Sequence, residues 1–297
     1  MSTDGPRIAL IGDALDGQVL RAAGWRVTGA LQVLPYDDPG DVPSYASLDE
    51  LLDDGLDAVV LDGADPQLAG HLPDLLAAGL GVLLPAAAPQ DEELLRVCRG
   101  VEDPLVAVGL VQRWEPWART TSLAAPLAEG PVLQATVRGW PRGGAQAAEL
   151  VDVLRLWCGD VVSVTAAPAR LPADELGPGA PVAWALLHEG GATTLVSHEQ
   201  APPLVRLSFS SARWEAGPLG ARWVGGVEAP LVEPRPLGTL PAGTPRGLLE
   251  VARALADALP ERDLAPAVAD LGDLQAVSRV LAALRASARA ELPVEVG

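Results

Sequence analysis

The chain opens on a regular alternation. Short apolar runs at Arg7 to Ile11, Arg26 to Leu31, Leu56 to Leu61 and Gly81 to Leu84 are apolar at successive positions, as in parallel strands buried on both faces. Helical patterns separate them. Ser47 followed three residues later by Glu50 is a capping box that starts a helix through Leu51 and Leu52, a second helix fits Pro66 to Ala78, and a third fits Gln90 to Arg99. Leu105 to Leu110 is the next strand. The alternation of strand and helix predicts an α/β, Rossmann-like N-terminal domain over residues 1–111, built on a doubly wound parallel sheet.

The rhythm changes after residue 111. Pro131 to Arg138, Val161 to Ala166, Val182 to His188, Ala192 to His198, Leu204 to Ser210 and Ala221 to Val227 are strand-like, and several follow one another without a helix between them. Residues 112–297 therefore read as an α+β C-terminal domain with a large, mainly antiparallel sheet. Glu189-Gly190-Gly191 between two strand-like runs is a hairpin turn. Two helical patterns close the chain, Leu248 to Leu259 and Asp270 to Ala290. In the second, Leu271, Leu274, Val277, Leu281 and Leu284 recur at spacings of three and four and form one apolar face. Pro168 to Pro181 and Glu228 to Pro245, crowded with proline and glycine, read as surface loops.

Composition narrows the partners. A formal charge of −18 repels phosphate backbones and anionic lipid alike, so neither nucleic acid nor membrane is expected. No apolar run reaches the roughly 18 residues of a spanning helix, and MSTDGPR carries no secretory pattern, so the expected compartment is the cytoplasm. Cys98 and Cys158 stand apart in sequence from each other and from any histidine; they read as buried thiols, with no disulfide or metal site. All 21 basic residues are arginine, because the sequence contains no lysine. Lysine chemistry is closed to this chain.

Four stretches together resemble the Gfo/Idh/MocA family of nicotinamide-dependent oxidoreductases, named after glucose-fructose oxidoreductase and inositol dehydrogenase. They are Ile8-Ala-Leu-Ile-Gly-Asp-Ala-Leu-Asp-Gly17, Ser44 to Leu52 followed by Leu56 to Val60, Val108-Gly-Leu-Val-Gln-Arg-Trp-Glu-Pro116, and Asp270 to Ala288. The resemblance covers nearly the whole chain. It implies NAD or NADP as cofactor, with Gly12 and Gly17 at the first and third glycines of the pyrophosphate turn and Ala14 in place of the second. It also implies a homo-oligomer formed through the C-terminal sheet, and a small-molecule ligand.

The same comparison exposes losses. Asp13 and Asp16 bring carboxylates to a loop that would hold a pyrophosphate; at about 5 Å and an effective dielectric of about 20, each charge pair costs roughly 3 kcal/mol. The helix after the loop has about six residues, Gln18 to Ala23, which weakens its positive end. Gln32 stands where the family has the acid that grips the ribose, with Asp37 and Asp38 nearby in a turn. The family's catalytic lysine, expected after the fourth strand, is absent from Gly81 to Pro89. Of its Asp, His and trailing Asp in the second domain, the first falls on Ala145, the His on Glu149, and only Asp152 matches.

No catalytic residue is therefore assigned. Glu149 reads as a helix-surface glutamate, with a proton-accepting base as the alternative. Arg113 beside Trp114 at the domain junction is either a binder of a carboxylate or sugar or a strut between domains, and Asp152 joins Arg113 and Trp114 as a candidate ligand residue. His71 lies away from any expected cleft, His188 and His198 flank the hairpin strands in cross-strand or solvent-facing roles, and Trp140, Trp157, Trp184, Trp214 and Trp223 read as core or interface. Three functional readings follow: a pseudoenzyme that keeps the scaffold and a ligand cleft, an active oxidoreductase of a sugar or polyol with altered catalytic groups, and a structural or partner-binding subunit.

Overall fold

The computed structural model describes residues 5–12, 17–31, 42–62, 65–85, 98, 100–101, 104–124, 130–139, 144–167, 183–197, 204–217, 220–224 and 246–297. They form two compact units, Met1–Val111 with Thr239–Gln275, and Gln112–Gly238 with Ala276–Gly297.

In the first unit, β1 (Arg7–Ile11), β2 (Arg26–Leu31), β3 (Ala58–Leu61), β4 (Gly81–Leu84) and β5 (Val106–Val108) pair in parallel in the order β2-β1-β3-β4-β5. Strands β3, β4 and β5 are buried at every position, which is why they read as unbroken apolar runs. The connecting helices are short: α1 (Gly17–Ala22), α2 (Leu48–Asp53), α3 (Pro66–Ala69) and α4 (Leu72–Ala77). The expected single helix over Pro66 to Ala78 is thus two. The second starts at His71, with Pro73 in its first turn, where a missing N–H costs nothing. The capping box forms, with Ser47 Oγ accepting from Glu50 N–H at 3.2 Å, while the Glu50 carboxylate reaches one residue further back, to Ala46 N–H at 2.6 Å. The helix predicted over Gln90 to Arg99 lies almost wholly outside the described residues.

The sequence reading runs the second domain unbroken from 112 to 297, whereas Thr239–Gln275 folds into the first unit. Helix α7 (Arg246–Ala258) buries Leu248, Leu249, Val251, Ala252 and Leu255 there, and Trp25 Nε1 donates to Ala252 O at 2.8 Å. Ala269 O then accepts from Val108 N–H at 2.8 Å, tying the returning segment to β5.

The second unit holds an eight-stranded sheet in the order β12-β11-β10-β6-β9-β8-β7-β13: β6 (Gln134–Arg138), β7 (Val161–Ala167), β8 (Ala183–His188), β9 (Thr193–Ser197), β10 (Leu204–Ser208), β11 (Arg213–Gly217), β12 (Gly220–Val224) and β13 (Val294–Glu295). Among the described residues only the β6–β9 pairing of this sheet is parallel. The β8–β9 hairpin turns at Glu189–Gly191, where Gly191 takes φ +82° and its N–H donates to His188 O at 2.8 Å. Helices α5 (Pro116–Ala124), α6 (Gly144–Cys158) and α8 (Leu271–Ala290) complete the elements.

Candidate functional site

Strand β5 leads through Gly109 and Leu110 into a 3-10 turn, Val111–Trp114. Gln112 and Arg113 are adjacent on this turn, and each engages a carboxyl of α6. Arg113 Nε donates to Asp152 Oδ2 and Nη2 to Oδ1, both at 2.6 Å, with Arg113 7% exposed and Asp152 not at all. This planar fork is the geometry in which guanidinium and carboxylate bind most strongly. Of the sequence candidates, Arg113 and Asp152 are thus brought together. Arg113 and its Asp152 partner belong to the same unit.

One helical turn before Asp152 lies Glu149, hydrogen-bonded by Gln112. Its reading as a surface glutamate is corrected. The side chain is half-buried, and its pKa is pushed up to about 7, chiefly by loss of water and then by the charges of Glu115 and Asp152, with the Gln112 bond pulling the other way. Sequence reasoning missed this because burial of a helical position depends on what packs over it. The available signal was the spacing of three that puts Glu149 and Asp152 on one face.

Trp114 is half-buried, with the Arg119 guanidinium 5.7 Å from its ring centroid, and its buried indole N–H finds no acceptor among the described residues. Other tryptophans belong to the core. Trp117 and Trp157 meet edge to face at 5.9 Å, Trp214 and Trp223 at 5.0 Å, and Trp214 Nε1 donates to Thr121 Oγ1 at 2.9 Å. Trp140 and His198 lie outside the described residues. His188 is buried, its Nδ1 2.6 Å from Gly159 O and its Nε2 2.8 Å from Thr194 Oγ1, and burial lowers its pKa. Thr194 is also hydrogen-bonded to Cys158, so this thiol, distant from any histidine in sequence, shares a hydroxyl with one in space. Burial pushes Cys158 up to about 12 and Cys98 up to about 11, so both stay protonated and unreactive. Among the described residues no group of three or more His, Cys, Asp or Glu is placed to hold a metal ion, and no helix is long and apolar enough to cross a membrane.

In a parallel sheet of this order the ligand crevice opens where the strand order reverses, at the carboxyl ends of β1 and β3. Gly12 stands there at φ +81°, and its N–H donates to Leu31 O at 3.0 Å. A Cβ at Gly12 would stand 2.6 Å from Leu68 Cδ1 and 2.7 Å from Asp62 Cβ, so the glycine serves the protein's own packing. Asp62, whose N–H donates to Ile11 O at 2.9 Å, adds a carboxylate beside the turn. Gly17 opens α1, where a Cβ would meet nothing nearer than 3.8 Å. Asp13, Ala14, Asp16, Gln32, Asp37, Asp38 and the alanines after β4 lie outside the described residues. A six-residue helix and an acid at the turn do not fit a dinucleotide pyrophosphate.

No family model matches the chain, and no curated protein matches it. Solved structures do. An oxidoreductase from Agrobacterium radiobacter, in complex with NAD+, L-tartaric acid and magnesium, is 17% identical with a TM-score of 0.78 over 99% of both chains. Aldose-aldose oxidoreductase from Caulobacter crescentus, complexed with glycerol, is 16% identical with a TM-score of 0.78, over 98% of this chain and 99% of that one. The apo scyllo-inositol dehydrogenase from Lactobacillus casei is 14% identical with a TM-score of 0.71, over 100% of this chain and 99% of that one. The structural neighbours are Gfo/Idh/MocA-type oxidoreductases, and this chain has their fold.

Proposed function

We propose that this chain is a catalytically degenerate relative of the oxidoreductases whose fold it shares, a pseudoenzyme that keeps a small-ligand cleft but transfers no hydride to or from NAD or NADP. One observation carries the reading: the matched Asp152 is bound by Arg113 in a buried fork, while the position that the resemblance gives to an imidazole holds Glu149. No lysine exists to take the remaining role. The acid at the Gly12 turn argues in the same direction, since a pyrophosphate there would face Asp62. Isothermal titration with NAD+, NADH, NADP+ and NADPH tests it. No heat of binding is expected up to about millimolar concentration, and micromolar affinity for any of the four contradicts the reading.

A second reading rests on Glu149 alone. A carboxyl held near pH 7 is suited to exchanging a proton, so an oxidoreductase of a sugar or polyol that uses Glu149 as its base is the alternative. Detectable turnover lost in Glu149→Gln would favour it.

The sheet supports a further part of the proposal, a cytoplasmic homo-oligomer formed through the open face of the second unit. Leu187, Leu195 and Leu204 are exposed on that face, around a groove of about 460 Å³ lined by Thr136, Arg138, Thr165 and Leu195. Light scattering on Leu195→Arg tests this, with a smaller particle expected than for the parent chain; an unchanged mass contradicts it.

A further inference from the structure

The open face of the second-unit sheet is charged oppositely to the chain as a whole. Strand register assigns each side chain to a face, because paired residues point the same way and successive residues point oppositely. On the face that carries Leu187, Leu195 and Leu204, the charged residues of the described strands are Arg138, Arg206, Arg213 and Arg222, against Glu215 and Glu295. In the whole chain acids outnumber arginines 39 to 21. Glu295 lies on β13, at the opposite edge of the sheet from β12, so the four arginines of β6, β10, β11 and β12 share one carboxylate, Glu215.

That carboxylate is divided between two of them. Arg206 donates to Glu215 Oε1 through Nε at 2.8 Å and also through Nη2, and Arg222 Nη2 donates to Oε2 at 3.1 Å. Arg138 and Arg213 are exposed, and neither has an ion-pair partner among the described residues. Register sets Arg138 opposite Leu204 and Arg213 opposite Ser208, two residues to either side of Arg206 on β10. Arg138, Arg206 and Arg213 therefore form an oblique stripe. Each step is one strand across and two residues along, about 8 Å at ordinary strand spacings.

We propose that this stripe is a docking site for an acidic segment of a partner protein, lying extended with carboxylates at alternate positions, about 7 Å apart. A guanidinium receives a carboxylate through a planar fork, and Glu215 holds the central guanidinium in place for it. A lone phosphate or carboxylate is too small to bridge two such steps. Duplex nucleic acid carries a charge about every 1.7 Å and runs on past the stripe, where the −18 charge of the chain repels it. A short acidic segment keeps its charge over the arginines. The same face of a second copy offers mainly arginine, which does not complement them. The stripe starts at Arg138, on the rim of the groove between β6 and β7, and leads away from it. It therefore goes beyond the oligomer reading and does not depend on it.

The test is fluorescence anisotropy of a fluorescein-labelled peptide with glutamate at alternate positions, titrated with the full chain. Binding is expected at about 20 mM salt and should weaken about tenfold or more at about 200 mM, since the contacts are exposed charges. Arg138→Gln and Arg213→Gln should each weaken it several-fold, and the double variant should abolish it. Both side chains are exposed and outside the Glu215 cluster, so these variants are expected to fold. Arg289→Gln, an exposed arginine of α8, should leave binding unchanged. No binding at low salt, equal binding of the glutamine counterpart of the peptide or of a short DNA duplex, or equal loss in Arg289→Gln overturns the proposal. Light scattering separates it from the oligomer reading. The double variant should keep the parent mass, whatever that mass is, and a smaller particle would assign the stripe to contacts between copies and overturn the proposal.

Discussion

At the scale of single residues, burial decides what each charge can do. Arg113 and Asp152 have left water together, so removing one partner leaves the other buried and uncompensated. Arg113→Met or Asp152→Leu alone should lower unfolding stability in urea by about 3–5 kcal/mol. The double variant Arg113→Met/Asp152→Leu should lose less than the sum of the two, because no orphan charge remains. Glu149 behaves in the opposite sense. Its folded pKa, about 7, lies above its ordinary 4.5, so its contribution to stability is fully present below pH 4.5 and is lost as pH rises towards 7. Glu149→Gln has no such titration. Measured by urea midpoint, the variant should therefore gain on the parent chain between pH 4.5 and 7. Arg113 was legible as a candidate from the junction pattern and its tryptophan neighbours, and Asp152 from its match to the family's trailing Asp. Their pairing was not, since it depends on a turn and a helix 39 residues apart meeting in space.

Among elements, the strands that lie buried on both faces were the easiest to read, and those whose pattern is ambiguous were missed. Arg213–Gly217 became β11 and Pro116–Ala124 became α5, although neither was expected. Both are fixed by a tertiary contact, Trp214 Nε1 donating to Thr121 Oγ1 at 2.9 Å. The β7–β8–β9 region depends on His188 remaining neutral. Burial depresses its pKa below the ordinary 6.5, so the stability it contributes is present above pH 6.5 and is lost as pH falls through and below that value. His188→Gln should flatten this acid limb of the thermal-stability profile. The first crossover offers a sharper contrast. Gly12→Ala meets both a φ of +81° and contacts below 3 Å and should destabilise by about 2 kcal/mol or more. Gly17→Ala has room and should stabilise α1 by about 0.5–1 kcal/mol. Chemical denaturation of the two variants separates a glycine needed for folding from one that only a bound phosphate would require.

For the whole molecule, sequence reading recovered two successive sheets, one parallel and one mainly antiparallel, but not the path of the chain. The return of Thr239–Gln275 to the first unit was hidden because helix α7 is amphipathic, and an amphipathic pattern states that one face is covered without stating by what. The solved structures share this architecture at 14–17% identity, so the likeness is one of scaffold. The proposed loss of hydride transfer rests on a chain without lysine and on the Asp62 carboxylate beside the Gly12 turn. The most direct trial is absorbance at 340 nm during incubation of purified chain with NAD+ or NADP+ and a panel of polyols and aldoses. The account predicts no NADH or NADPH above the protein-free control, and its stoichiometric formation with any one of these substrates, absent when the chain is heat-denatured, would contradict it.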